Sequence, residues 1–496
     1  MHAIKTNNSM TSLYIRLFVF FFITYAYFFQ GGGWTENTRI CLTRAILHEQ
    51  TFIIDSYRED LQDPYFKFVN TGDWAFRDGH YYTNKSPALS IMAIPGYALG
   101  EALMRRIVPD DPEKQIWGAS YLATVSTVGL SGALLCVLML HILHHFFGFN
   151  RRHSLALVLI FGTGTLFFGY STAFYCHSVS SFLCMLALVL LMHIKHEDSN
   201  HSALKAALAG AAASMAVLVE ASTLYLMPCF FLYLLSCKHR WRLMVFFLAA
   251  CIPAGLFQLY YNLVCFGGPL ESSYAHANPD VMVYKNGSLF GPPTLRRLVE
   301  LTVLPYRGLL VSSPIFIMIV PGIVLLFRKK NLRAELLFTT AVSLLFLMLI
   351  ASIHAWYGGS APGPRYLVPA YPFMFLLTVF AFKKFPHTYA AVALLSICIN
   401  LAITIVAVNI PGDIRFPLKD VVLKNILQDT VSINPVPFSH FDQYPNISAL
   451  ADINQWQPNF NAFNWGEILF PHSLMSILPL LLFWLIWIWL LRRRAG

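Results

Sequence analysis

Residues 31–55 read GGGWTENTRICLTRAILHEQTFIID, and residues 70–87 read NTGDWAFRDGHYYTNKSP. Strongly apolar runs flank this polar region, 13–30 before it and 87–104 at its end. Most loops between membrane helices are short and carry little chemistry. This one carries Glu36, Arg39, Asp55, Asp73, Asp78, His80 and Lys85 beside Trp34, Trp74, Tyr81 and Tyr82. Carboxylates, cations and aromatics gathered beside apolar segments imply a site at a bilayer surface, suited to a polar group attached to a lipid.

The rest of the chain supplies the bilayer. Its 496 residues are 56% hydrophobic and only 12% charged, with a mean hydropathy of +0.56. Soluble domains carry about 25% charged residues, so this is an integral membrane protein. Apolar runs recur near 13–30, 87–104, 118–145, 154–170, 174–194, 204–219, 222–237, 243–262, 308–327, 334–353, 366–382, 388–409 and 471–491. Each approaches the length that crosses a hydrocarbon core of about 30 Å. The first is too long and too aromatic for a signal peptide and lacks a small-residue cleavage site, so it is expected to stay as an anchor. Nine cysteines lie mostly within apolar runs without metal spacing, as buried small hydrophobes do.

The net charge of +10 sits in clusters between the apolar runs. That placement reads as topology and not as a nucleic-acid surface. The basic connections at 151–152, 195–205, 238–242, 328–333, 383–384 and 492–494 belong on the cytoplasmic side. They share that side with the N-terminus if run 87–104 does not cross. That run contains Pro87, Pro95, Gly96 and Gly100 and ends in Glu101, Arg105 and Arg106, which suits a helix lying at the interface. The expected fold is an all-α polytopic bundle of about twelve transmembrane helices, thirteen if 87–104 crosses, with both termini cytoplasmic. Residues 1–410 then form the transmembrane catalytic region, with 31–117 as its first outer loop. Residues 411–470 form an outer loop or small lid, and 471–496 the last helix and a basic tail.

Each candidate residue carries two readings. Glu36, at the start of an expected amphipathic surface helix, is either a general base or a helix-dipole partner. Lys85 is either a point charge for phosphate or a snorkelling anchor. His177 reads first as a hydrogen-bonded core histidine, with a ligand or base as the sharper alternative. Glu220, ionisable among apolar residues, requires a partner, in a site or in a structural pair. In the Gly- and Pro-rich turn 354–366, which begins at His354, Arg365 is placed to clamp a phosphate with its fork or to anchor the interface. Walker, GxGxxG, GxSxG and HExxH patterns are absent, so a cytosolic nucleotide is not implied.

Three stretches together resemble a known group: Thr35-Glu36-Asn37-Thr38-Arg39 after the first helix, Lys85-Ser86-Pro87, and Arg365-Tyr366-Leu367-Val368-Pro369. The chain is similar to the GT-C glycosyltransferases, specifically family-39-type relatives of the protein O-mannosyltransferases and the lipid A aminoarabinose transferases. It looks most like bacterial members with a first loop TGDxAxxDGHYYxxKxP and a later Gly-Pro-Arg-Tyr turn. Residues 71–73, 78–82, 307–314, 358–359 and 363–366 occupy those places. Two departures stand out. The usual Asp-Glu pair is Thr35-Glu36, and the usual Lys-Pro-Pro is Lys85-Ser86-Pro87.

The resemblance implies a GT-C-type bundle and a sugar donor linked to polyprenyl phosphate. Transfer would reach a lipid, glycan or protein acceptor on the periplasmic or outer face of a bacterial inner membrane, among membrane lipids. By position Glu36 activates the acceptor, with Asp55, Asp73 and Asp78 in reserve. Lys85 and Arg365 hold the donor phosphate, flanked by Tyr82 and Tyr366. Arg39, His80, His177, Glu220 and His354 are further pocket candidates. One carboxylate makes a poor site for a hard cation, so no obligatory metal or other cofactor is expected.

Two other readings compete. A glycan polymerase or ligase with a polyprenyl-diphosphate donor calls for a larger cationic late loop, and 411–470 offers only Arg415, Lys419 and Lys424 near its start. A lipid or solute transporter calls for charges near the midplane and repeated halves. Here the charges gather at outer helix ends.

Overall fold

The structure, a computed structural model, describes residues 2–57, 71–197, 201–279, 288–433 and 462–495. Its helices run in the order α1 (His2–Ala26), α2 (Trp34–Arg44), α3 (Ala88–Ile107), α4 (Pro112–Phe146) and α5 (Arg151–Gly164). They continue as α6 (His177–His196), α7 (Ser202–Val219), α8 (Ala221–Leu234), α9 (Arg240–Phe266) and α10 (Pro314–Phe327). The last are α11 (Lys330–Ser352), α12 (Arg365–Lys384), α13 (Pro386–Val406) and α14 (Leu474–Arg492).

Among the described residues, eight of these, α4, α6, α7, α9 and α11–α14, are long and apolar enough to cross a bilayer. Shorter apolar helices are Met10–Ala26, α8 and α10. The chain is therefore a polytopic helical membrane protein. The run expected over 154–170 breaks at Thr165, whose backbone is extended. There Ser313 Oγ accepts the freed Leu166 N–H at 3.0 Å, which satisfies a donor that the break exposes.

Local chemistry sets the helix starts. Asp111 caps α4 by accepting the Lys114 N–H, with Pro112 in the first turn, and Asn150 caps α5 through the His153 N–H. Helix α3 buries Leu89, Ala93, Gly96 and Tyr97. Met92, Leu99, Leu103 and Ile107 on its other side are exposed. The main core is strongly aromatic, with Phe161 near the rings of Phe167 and Phe375 at 5.0 and 5.3 Å.

Polar residues divide between the two ends of this bundle. His177 opens α6, and Lys195 and His196 close it. Lys205 lies in the first turn of α7, and Glu220 caps its far end. Arg365 opens α12, and Lys383 and Lys384 close it. Side-chain contacts keep these ends in register. His177 Nδ1 is 3.0 Å from Glu220 Oε1, and Lys205 Nζ is 3.4 Å from Glu197 Oε2. At the basic end, buried Glu335 accepts from Lys195, His196 and Tyr233 at 2.9, 2.8 and 2.6 Å.

Two small sheets belong to the other end. Strands β2 (Trp74–Arg77) and β3 (His80–Thr83) form an antiparallel hairpin. Its two-residue turn, Asp78-Gly79, has φ of 50° and 87°, as a tight hairpin requires. Strand β1 (Phe28–Phe29) pairs with β4 (Phe463–Asn464), joining the exit of α1 to the segment before α14. Of the lid expected over 411–470, residues 434–461 lie outside the described residues.

Candidate active site

Helix α2 is not the amphipathic surface helix that its apolar spacing suggested. Thr35 through Thr43 are all buried. The polar positions face partners supplied by distant parts of the chain, and a pattern of polar and apolar residues cannot distinguish such partners from water.

Glu36 is 1% exposed. Its Oε1 accepts from Asn409 Nδ2 at 2.9 Å, while its Oε2 is buried without a hydrogen-bond partner. Asn409 Oδ1 accepts from the Tyr175 hydroxyl at 2.8 Å, and the Tyr175 oxygen accepts from Arg365 Nη1 at 2.7 Å. A continuous chain of hydrogen bonds thus links the first-loop carboxylate to the guanidinium that opens α12. Burial raises the Glu36 carboxyl above the ordinary range, against the opposing pull of the Asn409 bond and of Arg365 and Arg39. Such a carboxylate is a stronger base than an exposed one. It also lines a small, partly open pocket whose walls include Phe29, Ile40, Trp117 and Phe174 together with Ser120 and Thr124.

Arg365 is 7% exposed. Its guanidinium lies 4.9 Å from the Tyr175 ring centre and 5.3 Å from that of Tyr366. Its Nη1 also reaches the Ser360 carbonyl at 3.2 Å, whereas its Nε is buried and unpaired. The turn before it is held by Arg307, which is wholly buried. Arg307 donates to the carbonyls of Tyr357, Tyr306 and Gly359 at 2.9, 3.0 and 3.1 Å.

Gly358 and Gly359 have φ of 78° and 63°. A Cβ on Gly358 would stand 3.1 Å from Arg365 Cγ. Gly358→Ala is therefore expected to cost roughly 1–2 kcal/mol of backbone strain and to displace Arg365. In a thermal melt paired with a turnover assay, turnover should fall further than stability accounts for. Equal losses would place Arg365 outside the chemistry.

Lys85 does not stand alone. Its Nζ lies 3.1 Å from Asp73 Oδ2, which also accepts from Thr35 Oγ1 at 2.6 Å. Asn84 Nδ2 reaches Asp73 Oδ1 at 3.4 Å. Burial by itself would raise the Asp73 carboxyl, but the Lys85 ammonium and the Thr35 hydroxyl outweigh it and hold the group below its usual range. A depressed acid stabilises the fold above its unfolded-state value, and this contribution fades as pH falls through the lower folded value. Asp73→Asn should therefore lower stability at neutral pH by up to about 3 kcal/mol, since it leaves Lys85 uncompensated. Melts at descending pH should show the difference closing. A constant gap would remove the ion pair as its source.

The other candidates separate. Asp55 accepts from His80 Nδ1 at 2.7 Å and from the Tyr81 N–H at 2.6 Å, a bracket on the hairpin. Asp78 is in the hairpin turn, with its side chain 82% exposed. Neither position suits a buried base. Tyr82 packs on Phe266, ring centres 5.6 Å apart, within a small apolar cluster with Ala75, Tyr261 and Cys265. His354 lies against Arg297, at 3.4 Å from its Nη2, and away from the Glu36–Arg365 chain.

Arg39, His177 and Glu220 border the site. Arg39 donates to the Thr35 carbonyl at 3.0 Å and reaches Cys176 Sγ at 3.5 Å. His177 stacks on Tyr175 with ring centres 5.7 Å apart. Glu220 accepts from Ser180 at 2.6 Å in addition to its His177 contact. Cys176, His177 and Glu220 offer three possible metal-ligand atoms within 4.8 Å of one another. Sequence reading missed Asn409 and Tyr175. Asn409 carried one usable signal, a lone amide ending an apolar run; Tyr175 carried none beyond its place beside His177.

The fold can be compared with solved structures. The crystal structure of ArnT from Cupriavidus metallidurans bound to undecaprenyl phosphate matches at a TM-score of 0.51 and 14% identity, covering 79% of this chain and 63% of that one. The apo structure of the same protein gives 0.48 at 13% identity, over 79% and 62%. The present chain thus spans less than two thirds of the length of that protein. No family model matches the chain, and no curated protein does. The likeness is one of fold, and it agrees with the polytopic helical membrane architecture expected from the sequence.

Proposed function

We propose that the chain is a membrane glycosyltransferase that moves a sugar from a polyprenyl-phosphate carrier to an acceptor hydroxyl. One observation carries the reading: a buried carboxylate with a free oxygen, Glu36 Oε2, is tied through Asn409 and Tyr175 to a buried arginine. The fold shared with ArnT, in a structure that holds undecaprenyl phosphate, supports the carrier class. Phe29, Ile40, Ile116, Trp117 and Phe174 give the pocket beside Glu36 an apolar part, as a lipid-bearing partner calls for.

In the proposed step Glu36 Oε2 takes the proton of the acceptor hydroxyl as that oxygen attacks the anomeric carbon. The bond from that carbon to the phosphate oxygen breaks, and polyprenyl phosphate leaves with the electron pair. Arg365 and Lys85 stabilise the charge that grows on the leaving phosphate. Asp73 holds Lys85 in place, and Tyr366 lies under Arg365. We place this site at the outer, periplasmic face of a bacterial inner membrane, because the basic helix ends lie at the other end of the bundle. We further propose twelve spans with α3 at the interface, residues 1–410 as the catalytic region, 411–470 as an outer lid and 471–496 as the last helix and tail.

The test is release of polyprenyl phosphate by the full chain in nanodiscs, supplied with polyprenyl-phosphate sugars and an envelope-lipid acceptor extract. Acceptor-dependent release supports the reading. Transport of the intact donor with no cleavage would overturn it.

A further inference from the structure

A second constellation lies at the opposite end of α6. The C-terminal ends of α4 and α6 carry His141 with His145, whose rings stack 5.0 Å apart, and His193 with Glu197, the residue that caps α6. The two ends meet. His145 Nε2 and His193 Nδ1 lie 3.0 and 2.9 Å from the same oxygen, Glu197 Oε1. These three ligand atoms are all within 4.8 Å of one another. His193 Nδ1 has no hydrogen-bond partner despite its closeness to that oxygen. The nitrogen and the carboxylate oxygen thus converge without a well-aligned hydrogen bond between them.

We infer that His145 Nε2, His193 Nδ1 and Glu197 Oε1 bind a zinc-class divalent transition metal. A tetrahedral ion with ligands at about 2.0–2.1 Å sets neighbouring ligand atoms about 3.3 Å apart, a few tenths of an ångström from the two spacings to Glu197 Oε1. The surroundings fix the ligand forms that binding needs. His193 Nε2 lies 2.9 Å from His141 Nε2, and His141 Nδ1 lies 3.0 Å from the Tyr14 hydroxyl. With His193 bound through Nδ1, its Nε2–H donates to His141, whose Nδ1–H donates to Tyr14. This is the outer hydrogen bonding that orients a ligating histidine.

Lys205 occupies the other carboxylate oxygen, Oε2, at 3.4 Å, leaving Oε1 to the ion. Both helices present their C-terminal ends here, where the dipole favours a cation. The site is on the order of 24 Å along α6 from His177, sixteen residues at 1.5 Å each. It is separate from the candidate active site and joins the inner ends of two helices.

The test uses the full chain in nanodiscs, stripped by chelation, loaded with Zn²⁺ or Co²⁺, desalted and analysed for metal. About one ion per chain is expected, with a melting point raised by several degrees. His145→Ala and Glu197→Ala, both at partly exposed positions, should abolish retention. His141→Ala should keep the stoichiometry and weaken affinity by about 10- to 100-fold. Cys176→Ser should leave retention unchanged, and the Co²⁺ spectrum should lack thiolate charge transfer. No retained metal in the unsubstituted chain would overturn the proposal. So would retention in Glu197→Ala, or loss in Cys176→Ser.

Discussion

Glu36→Gln is expected to lower turnover by at least roughly 100-fold while leaving the protein folded. The amide keeps an oxygen for Asn409 Nδ2, so the 2.9 Å bond survives. What disappears is the basic oxygen that had no partner. The burial that raises this carboxyl fixes two signs. The base acts in its ionised form, so activity is lost as pH falls through the raised value, and the acid limb of kcat/KM should lie above the ordinary glutamate value of about 4.3. The linked stability has the opposite sense: it is present at acid pH and lost as pH rises through the same value. Removing the buried charge should therefore leave the neutral-pH melting point unchanged or higher. Near-normal turnover in Glu36→Gln would take the base role from this residue.

Arg365→Ala is expected to cost roughly 10²–10³-fold in kcat. The guanidinium is the only described cation bonded to Tyr175 and thereby to Asn409 and Glu36. Its loss removes both the charge for the leaving phosphate and the far end of that chain. Arg365→Lys separates the two. A lysine retains one charge but lacks the planar guanidinium that lies against the Tyr175 and Tyr366 rings. It should recover only a small part of the rate and respond to salt more strongly. Full activity in Arg365→Lys would reduce the role to simple charge. Full activity in Arg365→Ala would end the phosphate assignment.

The bundle was legible because apolar length and basic connections are one-dimensional signals. The hairpin at Asp78-Gly79 was not read from the sequence, although that pair is a strong turn signal. Lys85 and Arg365 were legible as cations beside shaped turns, and Glu36 as an acid just past the first helix. Their surroundings were not. Nothing in the sequence ties residue 36 to residue 409, and hydrogen bonds across such separations follow from packing. Asp78 looked as promising as Asp73 in the sequence, yet one sits at an exposed tip and the other is locked to a lysine. The His145–His193–Glu197 group escaped notice for a related reason, since its two halves lie on different helices.

The pairing of Phe28–Phe29 with Phe463–Asn464 has a consequence for biogenesis. The pocket that contains Glu36 includes Phe29, whose ring lies 6.0 Å from Phe463. Glu36 precedes its amide partner Asn409 by 373 residues, and Phe29 precedes Phe463 by still more, so neither contact can form until those later segments have been synthesised and packed.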